Sequence, residues 1–209
     1  MGVIDRLAGS LGRRDEVPNV ELGKQIAAKN DKAAVKELVA NLTNKNKAIS
    51  HDCIKVLYEA GYIKPALLVP YTKEFLSLLD SKINRMQWGA MTALSSIAKE
   101  ETAELYKALP KLIDTANKGS VITKDHCYNI LLGLYADKKY SDRIFPLMTE
   151  QLLKSPLNQL PKYAEDTLKV VSDKNRSVLH KTLSSRLNDV ETPAKKKRLE
   201  KVIKKLEKE

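Results

Sequence analysis

The residues able to do chemistry lie in two short runs, His51-Asp52-Cys53 and Asp125-His126-Cys127. A thiol beside an imidazole is the make-up of a cysteine nucleophile with its base, and Cys, His and Asp together are common zinc ligands. The spacing argues against both readings. Cys53 and Cys127 are 74 residues apart, twice a period of 37 that runs along the chain. Ala90 and Ala164 fill the other equivalent positions, so the cysteines stand where small core residues stand and act as compact hydrophobes. The histidines fall out of register: His51 aligns with Trp88 and Asp125, and His126 aligns with Asp52 and Gly89. Two stacked repeats also place the cysteines about 20 Å apart, since packed helices lie roughly 8–10 Å from one another. No catalytic residue, metal ligand or cofactor site is expected. Nothing resembles a phosphate loop, a dinucleotide fingerprint, a zinc-protease helix or a nucleophile elbow.

The elements that would position any site follow from the period. The stretch 84–99, NRMQWGAMTALSSIAK, reads as one amphipathic helix with Met86, Ala90, Ala93, Leu94 and Ile97 on one face. That face recurs: Leu57, Leu94, Leu131 and Leu168 are each 37 apart, as are Ala60, Ile97, Leu134 and Val171. A second series, Leu42, Leu79, Ala116, Leu153 and Val190, marks a first helix in each unit. The spacing predicts paired helices at 31–42 and 48–60, 65–79 and 84–99, 102–116 and 122–136, 141–153 and 157–171, and 176–190 and 193–209. A helix over 19–29 precedes them, with Asn19 as its N-cap. Gly61 is expected to close the helix over 48–60 as a C-cap. A hairpin of this kind cannot bury its own apolar face, so neighbours must stack. The fold class expected is all-α. Residues 1–18 form a cap or flexible segment, and residues 19–209 form a single repeat domain.

Composition agrees. Aromatics make up only 5% of the chain and charged residues 30%, which suits helices with small interior residues. Two cysteines in 209 residues argue against a disulfide framework and for a reducing, cytoplasmic setting. No apolar run approaches the ~20 residues a membrane helix needs. No n-region followed by an h-region opens the sequence, so secretion is not expected, and Arg6 stands where a myristoylation signal requires Ser or Thr. The apolar spacing of Val3, Ile4, Leu7 and Leu11 leaves a membrane-surface role for the first residues as a third reading, against their packing as a cap.

The net charge is +11. Residues 174–209 hold 12 basic and 5 acidic side chains, hence +7, and the remaining +4 is spread over residues 1–173. Lys195-Lys196-Lys197-Arg198 heads this basic stretch and offers a possible anion contact, although Leu199, Val202, Ile203 and Leu206 give the same helix a core face.

The repeat and two local features resemble the HEAT-repeat family of α-solenoids. One feature is a proline within or early in the first helix: Pro70, Pro110 and Pro146. The other is the second-helix pattern of Met86–Ile97, with small Ala90 and Ala93 before Leu94. The resemblance covers residues 19–209. It departs where an Asp in the turn and an Arg at the second helix would link successive repeats, since only Asp80 with Arg85 fits. The likeness implies a right-handed α-α superhelix of about five hairpins whose second helices line a concave groove. Rows across those helices then mix aromatic and polar groups: His51, Trp88, Asp125 and Lys162; Lys55, Thr92, Asn129 and Asp166; Tyr58, Ser95, Leu132 and Lys169. Trp88, His51, Lys55, Tyr58, Tyr62 and Asn129 are the expected contacts of a protein or peptide partner. The expected function is a non-enzymatic protein–protein interaction scaffold, with no small-molecule substrate indicated. The alternative is nucleic-acid binding. Some HEAT-like proteins are alkylpurine DNA glycosylases that hold the damaged nucleotide with tryptophans, an Asp and an Arg; here Trp88 stands alone, with no Asp in its own helix.

Overall fold

The computed structural model describes residues 2–207. Among them the chain is all-helical, with twelve α-helices, short 3-10 turns and no strand. In chain order the helices are α1 (Val17–Lys29), α2 (Lys32–Ala40), α3 (Lys47–Ile63), α4 (Thr72–Leu78), α5 (Asn84–Ser96), α6 (Thr102–Lys107), α7 (Leu109–Lys118), α8 (Val121–Tyr135), α9 (Ser141–Lys154), α10 (Leu160–Leu168), α11 (Asp173–Arg186) and α12 (Pro193–Leu206). The second helices α3, α5 and α8 begin at Lys47, Asn84 and Val121, so the period of the sequence is also the period of the chain's path. The chain divides into two compact units, residues 1–130 and 131–209.

Local sequence accounts for most of the boundaries. Asn30, left-handed at φ 52°, ends α1, and the Asp31 side chain then accepts the Ala34 N–H at 2.9 Å to start α2. Asn46 does the same for α3 through the Ala48 N–H at 3.0 Å. Two expected first helices are broken. Over 65–79, Pro65 and Pro70 leave 3-10 turns at Pro65–Leu67 and Val69–Tyr71, and α4 starts only at Thr72. Over 102–116, the chain divides at Ala108 because Pro110 has no N–H to continue the ladder.

Two caps expected from sequence lie elsewhere. Helix α1 begins at Val17 with Glu16 at its N-cap. Asn19 is fully buried inside its first turn, accepting the Ala8 N–H at 2.9 Å and donating to Asp52 at 2.7 Å. Gly61 lies inside α3, which runs on to Ile63. A Cβ there would meet Ser96 Oγ at 2.5 Å and Leu68 Cδ1 at 2.6 Å, so close approach of neighbouring segments requires the glycine.

In unit 1, α3 packs against α1 on one side and α5 on the other, with α2 and α4 beside α3 and α5. The repeated apolar positions are its core: Leu57, Leu94, Cys53, Ala90, Ala60 and Ile97 have no exposed surface. Each large aliphatic side chain buried this way contributes about 1.5–3 kcal/mol. Glycines bring the helices into contact. Gly23 of α1 abuts Glu59 and Val56 of α3, and Gly89 of α5 abuts Ile54 of α3. Residues 2–14 contain a 3-10 turn at Ile4–Arg6. Val3, Leu7 and Ala8 are buried against the unit, and Leu11 is 48% exposed.

In unit 2, α9 pairs with α11, α10 pairs with α12, and α11 and α12 form a hairpin. Arg186 of α11 caps the carboxyl end of α9, donating to the carbonyls of Leu152 at 2.9 Å and Leu153 at 2.6 Å. The Tyr135 hydroxyl accepts the Ser172 N–H and the Asn175 side-chain amide, each at 3.0 Å, and so fixes the start of α11. The repeat is loosest around α10. Pro156 and Pro161 shorten that helix, Leu153 is 49% exposed, and Leu168 is half-buried.

The packing of α1 on α3 gives a direct test. In Gly23→Ala the new Cβ would lie 2.7 Å from Glu59 Cβ and 3.0 Å from the Val56 carbonyl, and backbone cannot yield cheaply. The variant is expected to lose about 1–3 kcal/mol, read as a lowered Tm in thermal denaturation, despite the better helix propensity of alanine.

Candidate functional site

The expected contact residues of unit 1 fall into two groups. The first is a run of aromatic rings across α3 and α5. Tyr58 lies 5.9 Å from Tyr62, edge to face, and 6.1 Å from Trp88. These separations are those of interacting aromatic pairs. Tyr58 is the buried centre, 6% exposed; Trp88 is half-buried; Tyr62 opens to solvent at 52%, beside Ile63 at 55%. The spacing of Tyr58 and Tyr62 on α3 puts both on one face, and the packing of α5 on α3 brings Trp88 alongside.

The second group is ionic and supports the first from beneath. Glu16, at the N-terminus of α1, reaches Lys55 Nζ of α3 at 3.1 Å and Arg85 Nη2 of α5 at 2.5 Å. One carboxylate thus ties three adjacent helices together. Lys55 also pairs with Glu59 at 2.7 Å and lies over the Tyr58 ring at 4.9 Å. The Arg85 guanidinium lies 5.5 Å from the centre of the Trp88 ring. Partial burial works to raise the Glu16 carboxyl, but the hydrogen bonds and charges of Arg85 and Lys55 outweigh it and hold the group below the ordinary glutamate value. Burial likewise works against the Lys55 ammonium, and the hydrogen bonds of Glu59, Tyr58 and Glu16 more than reverse it.

Lys55 is therefore an internal brace, its side chain 11% exposed, and it is not free to meet a partner. His51 sits one turn into α3 and lines a shallow pocket of about 240 Å³ with Arg13, Arg14 and Arg85. Burial, then the Arg85 charge, holds its pKa below the ordinary histidine value. Asn129 is half-buried on α8, and among the described residues no ring contact or hydrogen bond joins it to the aromatic run.

The two His/Cys runs point different ways. Asp52 accepts the Gly9 N–H at 2.7 Å and the Asn19 amide at 2.7 Å. His126 Nδ1 is 2.8 Å from Ser95 Oγ, and the Cys127 thiol donates to the Leu112 carbonyl at 3.6 Å. Burial pushes both thiols up to about 12, so neither supplies a thiolate nucleophile near neutral pH. Among the described residues no group of three or more His, Cys, Asp or Glu side chains gathers into a metal-ligand cluster.

Asp80 and Arg85 do not pair with each other. Asp80 meets Lys111 at 2.6 Å and Arg85 meets Glu16. Glu16 carried no signal in the sequence; its partners lie 39 and 69 residues away, as Lys55 and Arg85, and only the stacking of α1, α3 and α5 brings them together.

In unit 2 the basic run is partly occupied. Lys195 donates to Asn158, and Arg198 makes a two-pronged pair with Glu165 at 2.8 and 2.6 Å. Lys196 is half-buried and Lys197 exposed.

No protein-family model matches the chain. An uncharacterized protein of Methanocaldococcus jannaschii is 32% identical over 97 residues, a stretch covering 44% of this chain and 47% of that protein. The alignment thus spans about half the length of this curated relative. The crystal structure of an engineered protein, a Northeast Structural Genomics Consortium target, superposes with a TM-score of 0.64 over 99% of this chain and 98% of its own, at 16% identity. That likeness concerns the helical fold alone. No described helix is long and apolar enough to cross a membrane.

The Glu16 bridge sets a pH dependence. A carboxyl held below its ordinary value of 4.5 adds stability that is complete above that value and lost as pH falls through the lowered one. Glu16→Gln is expected to cost about 1 kcal/mol at pH 7, since the carboxylate is half-exposed. It should also flatten the acid side of a plot of denaturation midpoint against pH.

Proposed function

We propose that this chain is a HEAT-like solenoid, a right-handed α-α superhelix, that acts without catalysis as a scaffold for a protein or peptide partner. The observation that carries the reading is the aromatic run of Trp88, Tyr58 and Tyr62, rooted in the core at Tyr58 and open to solvent at Tyr62. Rigid amphipathic rings that present area without losing much side-chain freedom are typical binding anchors. The Lys55 and Arg85 cations on the Tyr58 and Trp88 rings, with Glu16 between them, hold the rings in place before a partner arrives. A pre-ordered surface of this kind loses less entropy on binding. The stacking of second helix on second helix, α3 on α5 and α10 on α12, with α1 laid on the other side of α3, supports the solenoid. The buried free thiols of Cys53 and Cys127 accord with a cytoplasmic location, which belongs to the same proposal.

The test is selection of peptides from a random displayed library on the immobilised full chain, followed by titration of the enriched sequences. Tyr62→Ala should weaken binding at least about tenfold, the size of a modest hot spot, with Tm nearly unchanged because Tyr62 is 52% exposed. Trp88→Ala should weaken binding and lower Tm together, because Trp88 is half-buried under Arg85. Enriched peptides that bind both variants as well as the parent would overturn the reading, as would a library that yields none.

A further inference from the structure

Helix α12 divides cleanly into two faces. Leu199, Val202, Ile203 and Leu206 are all buried. At 100° per residue, Lys197, Lys201 and Lys204 fall on the opposite side, with Lys205 at its edge. All four are exposed. Among the described residues none has a carboxylate within ion-pair distance, whereas Lys154, Lys162, Lys169, Lys174, Arg186 and Arg198 of the same unit each have one. Like charges at i and i+4, as in Lys197 with Lys201 and Lys201 with Lys205, disfavour the helix they stand on. Glu200, four residues before Lys204 and three after Lys197, offsets part of this repulsion, but among the described residues it makes no ion pair with the strip, whose four cations outnumber it. It continues sideways into a groove of about 280 Å³ between α10 and α12, walled by Lys169, Arg198, Lys201 and Lys205 over Leu168 and Val202. Residues 131–209 contain 18 basic and 11 acidic side chains, a net +7 of the chain's +11.

We propose that this face of α12, with the adjoining α10 groove, binds the sugar–phosphate backbone of duplex DNA without regard to sequence. The chemistry of the strip selects this occupant. Lysines are flexible point charges that suit phosphate rather than the flat, two-pronged recognition arginine provides. An acidic peptide would need a large apolar anchor, and α12 exposes only Pro193 and Ala194 at its start, since Leu199, Val202, Ile203 and Leu206 are turned into the unit. Insertion into an anionic membrane fails for the same reason, because an interfacial helix needs a free apolar face. Single strands are held chiefly by stacking on aromatic rings, and the strip contains no aromatic residue. A straight helix with its cations in one line can lie along or within the major groove of B-form DNA, whereas the deep, narrow groove of A-form RNA excludes it.

The experiment is fluorescence anisotropy of a labelled 20-base-pair DNA of arbitrary sequence, titrated with the full chain between 50 and 200 mM NaCl. Four lysine–phosphate contacts predict a log–log salt slope near −3.5, a loss of about 10²-fold in affinity across that range. The variant K197Q/K201Q/K204Q/K205Q should bind at least about tenfold more weakly at 50 mM and show a slope shallower by about three. Its circular dichroism should match the parent, since all four positions are exposed. A control with the same charge change elsewhere, K32Q/K36Q/K73Q/K99Q, should retain the parental slope. Equal loss in both variants would show attraction by net charge alone and overturn the site. So would absence of binding at 50 mM, or preference for duplex RNA, an acidic peptide or phosphatidylserine vesicles at equal charge. The peptide titrations with Tyr62 variants are independent of this outcome.

Discussion

The arrangement of unit 1 depends on a single constraint: α3 is covered along its middle and exposed only at its two ends, at Lys47 and Ala48 and at Tyr62 and Ile63. It is apolar or small at Cys53, Ile54, Val56, Leu57 and Ala60, all without exposed surface, and needs neighbours on several sides. Glycines let those neighbours come close. Gly23 admits α1, Gly89 admits α5, and Gly61 admits Ser96 and Leu68. Once α1 and α5 lie on either side of α3, the N-cap carboxylate of α1 reaches cations on both other helices. The Glu16 bridge is a result of the stacking and then reinforces it.

The ion pairs that join successive hairpins share a direction. Lys111 reaches back to Asp80 and Arg85 to Glu16; in the other unit Lys174 reaches back to Asp142 and Arg198 to Glu165. In each the later residue is the cation and the earlier one the acceptor. Most are exposed and individually contribute little. The Glu16 bridge differs because Lys55 is nearly buried and its charge must be matched. It also orders the rings: the cations that neutralise Glu16 are the ones lying over Tyr58 and Trp88, so helix stacking and surface preparation are one network.

The all-helical architecture was legible because burial of a repeated face leaves a period in the sequence. The helices α3, α5 and α8 start where the 37-residue spacing puts them, and the two cysteines are buried, as are the alanines that share their register. Other features were not legible because they depend on tertiary partners. Lys55 looked like a surface cation in its row, but Glu16 and Glu59 enclose it. Asn19 looked like a cap, but Ala8 and Asp52 draw it inside. Gly61 looked like a helix end, but it is a contact point. The prolines at 65, 70 and 110 did carry a local signal, and their effect on the first helices follows from the missing N–H. Tyr62 lies in none of the rows, and its edge-to-face contact with Tyr58 required the fold; Arg85 pairs in the sequence reading with Asp80, and its place over Trp88 required the fold.

The central claim is that α3, held between α1 and α5, is the rigid element on which the exposed rings are mounted. Native-state amide hydrogen exchange followed by mass spectrometry tests it most directly. The amides of 50–60 should be the slowest in unit 1, exchanging only through global unfolding, while those of α2 and α4 open locally and faster. Exchange in 50–60 as fast as in α2 or α4 would contradict the account.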